Sequence, residues 1–474
     1  MTVPFPFQAA GVRLIETRFS GKCLLTDEMG LGKSFSSLLY ADRNCREGPI
    51  VVVCPATIKL KWAKEASEHI DMKSHVIWGG AAPKTCPVFE HPLIIINYEI
   101  LVRKQPRGKK KKKTTEPSWI QHLISLNPKM VVIDEAQKVA NPQTVSTKAV
   151  KALCKGVPSI FFLTGTPIEN RPSDIVTAVT TLAPHVPEFS TPWVFYENFC
   201  GLHLGNYGWE YNGATNLDKL NELLLKHIML RRRKSEVLDQ LPPKTRVVIP
   251  LAIDMKVYDK ACDDIVTWMR RSHYGSSRDY KLEERNKIIA LKQLVGKLKL
   301  PQQIEWLDDW LKCNDGKIIV GTYHRATLKE LADKYGSKCV FIEGARTGPQ
   351  RQEAIDKFQN DPKIRIMFGQ IVAAGTGWDG TAANAVAVFE LGWNPSKHDQ
   401  LEARGSRIGS KNNLVCYYLV ADQTIDLEIL KLIEKKQGII DQAIDGVEKT
   451  EQGLNIYSML AETLKNKYSK KGNK

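Results

Sequence analysis

At 474 residues the chain is long enough to bury more than one core, and 43% hydrophobic with 25% charged residues excludes a disordered or fibrous protein. A formal net charge of +16 suits a polyanionic partner, because lysines and arginines that neutralise phosphates release condensed counterions; on composition alone a merely soluble basic protein fits equally well. No apolar run reaches the roughly 18 residues of a bilayer span, and no leader pattern opens the chain. The ten cysteines show no C-x-x-C spacing, which speaks against a zinc ribbon and for a reducing compartment.

Short β-branched runs alternate with helical patterns from the start, the sign of parallel α/β units. An apolar run ending at Leu25, then Ile50–Val53, Leu93–Ile96, Met130–Ile133 and Ile160–Leu163 predict strands of a first lobe. From about Pro184 to Leu300 the strand signal fades. Leu217–Leu230 and Tyr280–Leu300 carry apolar residues at helical spacing, so helical insertions standing off the lobes are expected, with Arg231–Lys234 among them. Strands return at Ile318–Val320, Val340–Ile342, Ile364–Phe368, Ala385–Phe389 and Val415–Leu419, followed by an amphipathic helix over Thr424–Val447 and a basic tail. The expected architecture is α/β, two doubly wound parallel-sheet lobes. Its boundaries are 1–185 for the first lobe, 186–300 for the insertions, 301–435 for the second lobe and 436–474 for a C-terminal helix and tail. Lys109–Lys113 is a low-complexity run, readable as a phosphate-tracking or localisation segment or as a solvated loop.

Two segments carry chemistry. Leu24–Ser34 passes from a strand through a glycine-rich turn into a helix, where backbone N–H groups and the helix dipole favour a phosphate. Lys33 would reach the β- and γ-phosphates and the Ser34 hydroxyl would ligate Mg²⁺, although Asp27 stands where the general G-x-x-x-x-G-K-[ST] pattern has its first glycine. Met130–Ile133 then delivers Asp134 and Glu135 at a strand's carboxyl end, where doubly wound sheets bind ligands. Asp134 would hold Mg²⁺, and Glu135 would orient and deprotonate the attacking water. Further along, Arg404 and Arg407 stand about one helical turn apart and can face one site.

Asp27-Glu28-Met29-Gly30-Leu31-Gly32-Lys33-Ser34 closely resembles the phosphate loop of the Swi/Snf-type ATPases, the chromatin-remodeller-like branch of the helicase superfamily, in which Asp commonly replaces that first glycine. Other matches follow in order: Phe7–Val12, whose Gln8 would read adenine; Cys54–Trp62; Asn97-Tyr98-Glu99; Leu163–Asn170; Leu230–Val237; and Leu241-Pro242-Pro243-Lys244. Ala374–Asp379, Trp393-Asn394-Pro395 and Gln400–Gly409 continue them in the second lobe. The resemblance implies RecA-like lobes, ATP with Mg²⁺, and a nucleotide set that also includes Gly377 and Asp379. It makes Arg404 and Arg407 arginine fingers that tie hydrolysis to lobe closure. Gln137 stands in for the usual His after Asp-Glu-Ala, Ser406 for a His or aromatic, and Trp378 for a Leu; these touch coupling rather than hydrolysis.

By the same resemblance Lys59, Lys61, Asn97, Tyr98, Arg346 and Thr347 are nucleic-acid contacts, while Trp62 and Trp393 either stack on bases or pack. The expected activity is a DNA-stimulated ATPase translocating on duplex DNA. The partner is nucleic acid rather than membrane, and the chain works as a monomer in the cytoplasm of a bacterial or phage-infected cell, or in a nucleus if eukaryotic. A strand-separating DNA or RNA helicase is the enzyme alternative, and a non-catalytic nucleic-acid scaffold the alternative from another class.

Overall fold

The computed structural model describes residues 2–79, 82–83, 85–102, 118–205, 208–238, 244–271, 278–343, 348–375, 378–407, 410 and 413–447. They form two compact units: one comprises the described residues up to 238 together with 438–447, the other those from 244 to 437.

The main sheet of the first unit has seven strands: Lys22–Leu25 (β1), Ile50–Cys54 (β2), Ser74–Val76 (β3), Leu93–Asn97 (β4), Met130–Asp134 (β5), Ser159–Leu163 (β6) and Met229–Leu230 (β7). Their spatial order is β3-β4-β2-β5-β6-β1-β7, with parallel pairing throughout. Alternate residues feed opposite faces, as a pleated strand requires. Val51, Val53, Ile94, Ile96, Val131 and Ile133 enter one apolar core, and Ile50, Val52, Leu93, Ile95, Met130 and Val132 the other. Both faces are covered, so these strands read as unbroken apolar runs.

The second unit holds Lys244–Leu251 (β8), Lys317–Thr322 (β9), Cys339–Ile342 (β10), Ile366–Gln370 (β11), Ala383–Val388 (β12) and Leu414–Ala421 (β13). The order is β8-β13-β12-β9-β11-β10, again parallel, with Ile319, Met367 and Val386 on one face and Ile318, Ile366 and Ala385 on the other. Two doubly wound α/β sheets are therefore present. Among the described residues no helix is long and apolar enough to cross a membrane.

The middle region differs from the expectation. It is not a separate block over 186–300 but is divided between the two cores, because its apolar stripes bury. Phe189, Phe195, Phe199, Leu220 and Leu224 join the first core, while Tyr258, Cys262, Ile288, Leu291 and Val295 join the second. The helix expected over Leu217–Leu230 ends at His227, and Met229–Leu230 pairs with Leu24–Leu25 as an edge strand, so Arg231–Lys234 belongs to the first unit. The C-terminal helix Ile425–Asp445 gives Ile429, Leu432 and Ile433 to the second core and Ile439, Ile440, Ala443 and Ile444 to the first. The edge strands β3, β7 and β8 were invisible as apolar runs, since they are short or, like β8, mostly exposed.

Candidate nucleotide site

After β1, Thr26–Gly32 turns over the carboxyl edge of the sheet into the helix Lys33–Asn44. Gly30 and Gly32 take φ of +94° and +77°, the left-handed region where a Cβ is strained. At Gly32 a Cβ would also stand 2.6 Å from Gln8 Nε2. The Gln8 amide is buried, donating to the Leu31 carbonyl (3.1 Å) and accepting from the Phe5 N–H (3.0 Å). Gln8 thus braces the loop. Lys33 Nζ donates to the Asp27 carbonyl at 2.7 Å. Burial lowers its pKa to about 8 against the opposing pull of Asp27 and Glu135.

Asp27, expected at the nucleotide, points elsewhere. Its fully buried carboxylate accepts a fork from Arg232, with Nε at 2.9 Å from Oδ1 and Nη2 against Oδ2. The Arg232 guanidinium also reaches the Phe7 carbonyl and leaves no room for a Cβ on Gly11. Glu28 is likewise engaged by the neighbouring segment: its Oε2 accepts the Lys234 N–H at 2.8 Å, and its own N–H donates to the Arg232 carbonyl at 2.9 Å. Residues 228–234 therefore form a continuous rail along the outer edge of the phosphate loop.

At the end of β5, two strands from β1, Asp134 Oδ2 accepts from Trp62 Nε1 (2.8 Å) and Oδ1 from the Glu135 N–H (2.8 Å). Tyr98 Oη donates to the Asp134 carbonyl at 2.6 Å. Glu135 sits at φ +54°, a strained setting that costs a residue with a Cβ roughly 1–2 kcal/mol. Gln137 Nε2 donates to its Oε2 at 2.5 Å. Between the two segments runs the turn after β6, where a Cβ on Gly165 would meet Met29 Cγ at 2.4 Å and Lys33 Nζ at 3.2 Å. Burial, then the neighbouring charge of Glu135, pushes the Asp134 carboxyl up to about 7. Ser34 and Asp134 offer the hard oxygen donors that Mg²⁺ takes, so the residues fit it.

Of the four expected nucleic-acid contacts among the described residues, three are buried. Lys59 is buried with Nζ donating to the Ile77 carbonyl (2.8 Å) and resting over Trp78, and Tyr98 is committed to Asp134. Asn97 is buried with Nδ2 on Glu99 (2.6 Å), and Trp62 is buried on Asp134, so it packs rather than stacks on bases. Lys61, on the helix Lys59–Ile70, is half-buried and pairs with Glu65 at 3.6 Å. Arg346, Thr347, Gly377, Lys109–Lys113 and Leu241–Pro243 lie outside the described residues.

In the second unit, the helix Pro395–Gly405 carries Arg404 near its end and Arg407 follows two residues beyond it; they reach Trp378 and Asp379 respectively. Arg404 is buried, with Nη1 on the Trp378 carbonyl (2.6 Å) and Nε on the Gln400 carbonyl (3.1 Å). Arg407 pairs with Asp379.

The family model of the SNF2-related domain matches residues 7–304, and that of the helicase conserved C-terminal domain residues 302–409. The chain belongs to the SNF2-related family. Among its relatives, the SWI/SNF-related matrix-associated actin-dependent regulator of chromatin subfamily A-like protein 1 of Xenopus laevis is 30% identical over 449 residues, 92% of this chain and 44% of that protein. The DNA annealing helicase and endonuclease ZRANB3 of Bos taurus is 27% identical over 457 residues, 93% and 40% respectively. The chain spans less than half the length of these relatives. The solved Sulfolobus solfataricus SWI2/SNF2 ATPase core in complex with dsDNA aligns over 98% of this chain and 96% of that chain at 22% identity, with a TM-score of 0.44.

Three functional partners in this SNF2-related chain escaped sequence reasoning. Trp62, readable from the sequence as a stacking or packing residue, positions Asp134. Arg232 reads from the sequence as part of an insertion; the apolar Ile228-Met229-Leu230 just before it is the available sign of a strand. Glu402 is the third. It is fully buried and bound by Lys244 (2.8 Å), Arg246 Nε (2.8 Å) and Tyr418 Oη (2.6 Å). Despite burial, Lys244 and Arg246 hold its carboxyl down to about 2. No local pattern announces it.

Proposed function

We propose that this chain hydrolyses ATP to move along duplex DNA. The observation that carries this reading is one parallel sheet presenting, at its carboxyl edge, a glycine-shaped phosphate loop with Lys33 and Ser34 and, two strands away, the Asp134–Glu135 pair. In the proposed reaction Lys33 binds the β- and γ-phosphates, and Ser34 and Asp134 hold Mg²⁺. Glu135, aimed by Gln137, takes a proton from water as its oxygen bonds the γ-phosphorus and the bond to the β–γ bridging oxygen breaks, leaving ADP and phosphate. Bound Mg²⁺ supplies charge neutralisation on the phosphate oxygens. Arg404 and Arg407 are the proposed source of further positive charge for the transferred phosphoryl, a role for which they must exchange their present partners at Trp378 and Asp379.

The net charge of +16 favours a polyanionic track held by its phosphates without sequence reading. Both relatives named above are described as acting on chromatin or DNA, which supports duplex DNA as that track. ATPase rates measured with duplex DNA, single-stranded DNA, RNA or no polymer test the proposal. Stimulation by duplex DNA is expected. Equal rates in all four would sink the motor reading, and stimulation confined to RNA would replace it with an RNA helicase.

A further inference from the structure

A carboxylate more than 400 residues downstream of the phosphate loop reaches it through one arginine. Asp445, at the end of the helix Ile425–Asp445, accepts from Arg231 Nε at 2.9 Å and Nη2 at 3.3 Å, and from Arg233 Nε at 3.3 Å. The remaining Arg231 nitrogen, Nη1, donates to the Thr26 carbonyl at 2.7 Å. Thr26 is the first residue of the phosphate turn, and its N–H and hydroxyl both bond the Leu230 carbonyl, at 2.9 and 3.2 Å.

We infer that Asp445 is a positioning residue for the nucleotide site, fixing the Arg231 guanidinium so that it holds the Thr26 carbonyl and sets where the phosphate turn begins. A guanidinium is planar and rigid, so a fork on one edge dictates where its third nitrogen points. Without that fork Arg231 is a long side chain with several rotamers, and the Thr26 contact must then bear the cost of ordering it. The acidic group is itself well seated. Ile439, Ile440, Ala443 and Ile444 are buried in the first unit's core, the Ala443 carbonyl accepts from Asn221 Nδ2 (3.3 Å), and Gln442 Nε2 donates to Asp218 (3.1 Å). Arg231 and Arg233 also lie at a helix C-terminus, where cations are favoured. Although burial works the other way, the two arginines hold the Asp445 carboxyl below its ordinary range, so it stays charged at neutral pH.

This inference rests on the ATP reading above. The experiment uses the full chain with Asp445→Asn, Asp445→Glu and Arg231→Met, and measures KM for ATP, kcat with duplex DNA, and the melting temperature without nucleotide. Asp445→Asn keeps the shape and one acceptor but removes the charge. It should raise KM for ATP by about tenfold, the worth of one charge-assisted hydrogen bond, with kcat changed less than twofold. Asp445→Glu should recover most of the loss. Combining Asp445→Asn with Arg231→Met should be no worse than Arg231→Met alone, because both break one relay. An unchanged KM in Asp445→Asn overturns the inference, as does a lowered melting temperature with KM intact, or full additivity of the two substitutions. If the unmodified chain does not bind ATP, it is the earlier proposal that fails.

Discussion

Where the general phosphate-loop pattern has a glycine, Asp27 spends both carboxylate oxygens on Arg232, a residue 205 positions away. Burying either charge alone is expensive, and removing one partner of a buried pair costs about 3–5 kcal/mol. Arg232→Met should therefore lower chain stability by that order in denaturant unfolding, while Arg232→Met with Asp27→Asn should recover much of it. Glu135 gives a different outcome. Its left-handed backbone and its Gln137 partner fix one carboxylate; with Glu135 as the proposed base, Glu135→Gln should abolish turnover yet leave ATP binding intact in a nucleotide-binding assay. Surviving turnover would remove Glu135 from the role of base. The identity and order of Lys33, Ser34, Asp134 and Glu135 were legible in the sequence, because each follows a strong strand signal at short range. The partners of those residues were not. Trp62, Tyr98 and Arg232 meet the site only through pairing registers that no local pattern encodes.

At the scale of elements, the central strands announced themselves and the edges did not. Strands covered on both faces must be apolar throughout, whereas β8 exposes most of its side chains and borrows its order from β13. That edge matters, since its Lys244 and Arg246 keep Glu402 ionised inside the second unit. The Glu402 carboxyl is depressed from 4.5 to about 2. Its contribution to stability is therefore complete above about pH 4.5 and is lost as pH falls through about 2. Glu402→Gln should cost stability equally at pH 7 and pH 5, and the gap to the unmodified chain should close below pH 4 in thermal unfolding. The helix Lys59–Ile70 separates two lysines that the sequence could not distinguish. Lys59 turns inward onto the Ile77 carbonyl while Lys61 stays half-exposed beside Glu65. Lys61→Ala should weaken DNA affinity and reduce its salt slope by about one, whereas Lys59→Met should alter stability and leave the slope in place.

For the whole molecule, a charge of +16 makes ionic strength the first variable to control, because log affinity for DNA falls linearly with log salt. Lys109–Lys113 concentrates part of that charge. Replacing these lysines by Ser should flatten the salt dependence of DNA binding; an unchanged slope would leave them as a solvated loop. By itself the sequence determined the two α/β sheets, the phosphate turn, the acidic pair and the family resemblance, all properties of periodicity and short spacing. Only the tertiary structure decided that Arg231–Lys234 is the rail of the phosphate loop, that Lys59, Asn97 and Tyr98 face inward, and that Asp445 closes onto Arg231. The reason is physical. Hydrophobic period fixes which face of an element is buried, but the partner of a buried charge is set by which distant strand or helix happens to lie against it, and burial makes having that partner obligatory.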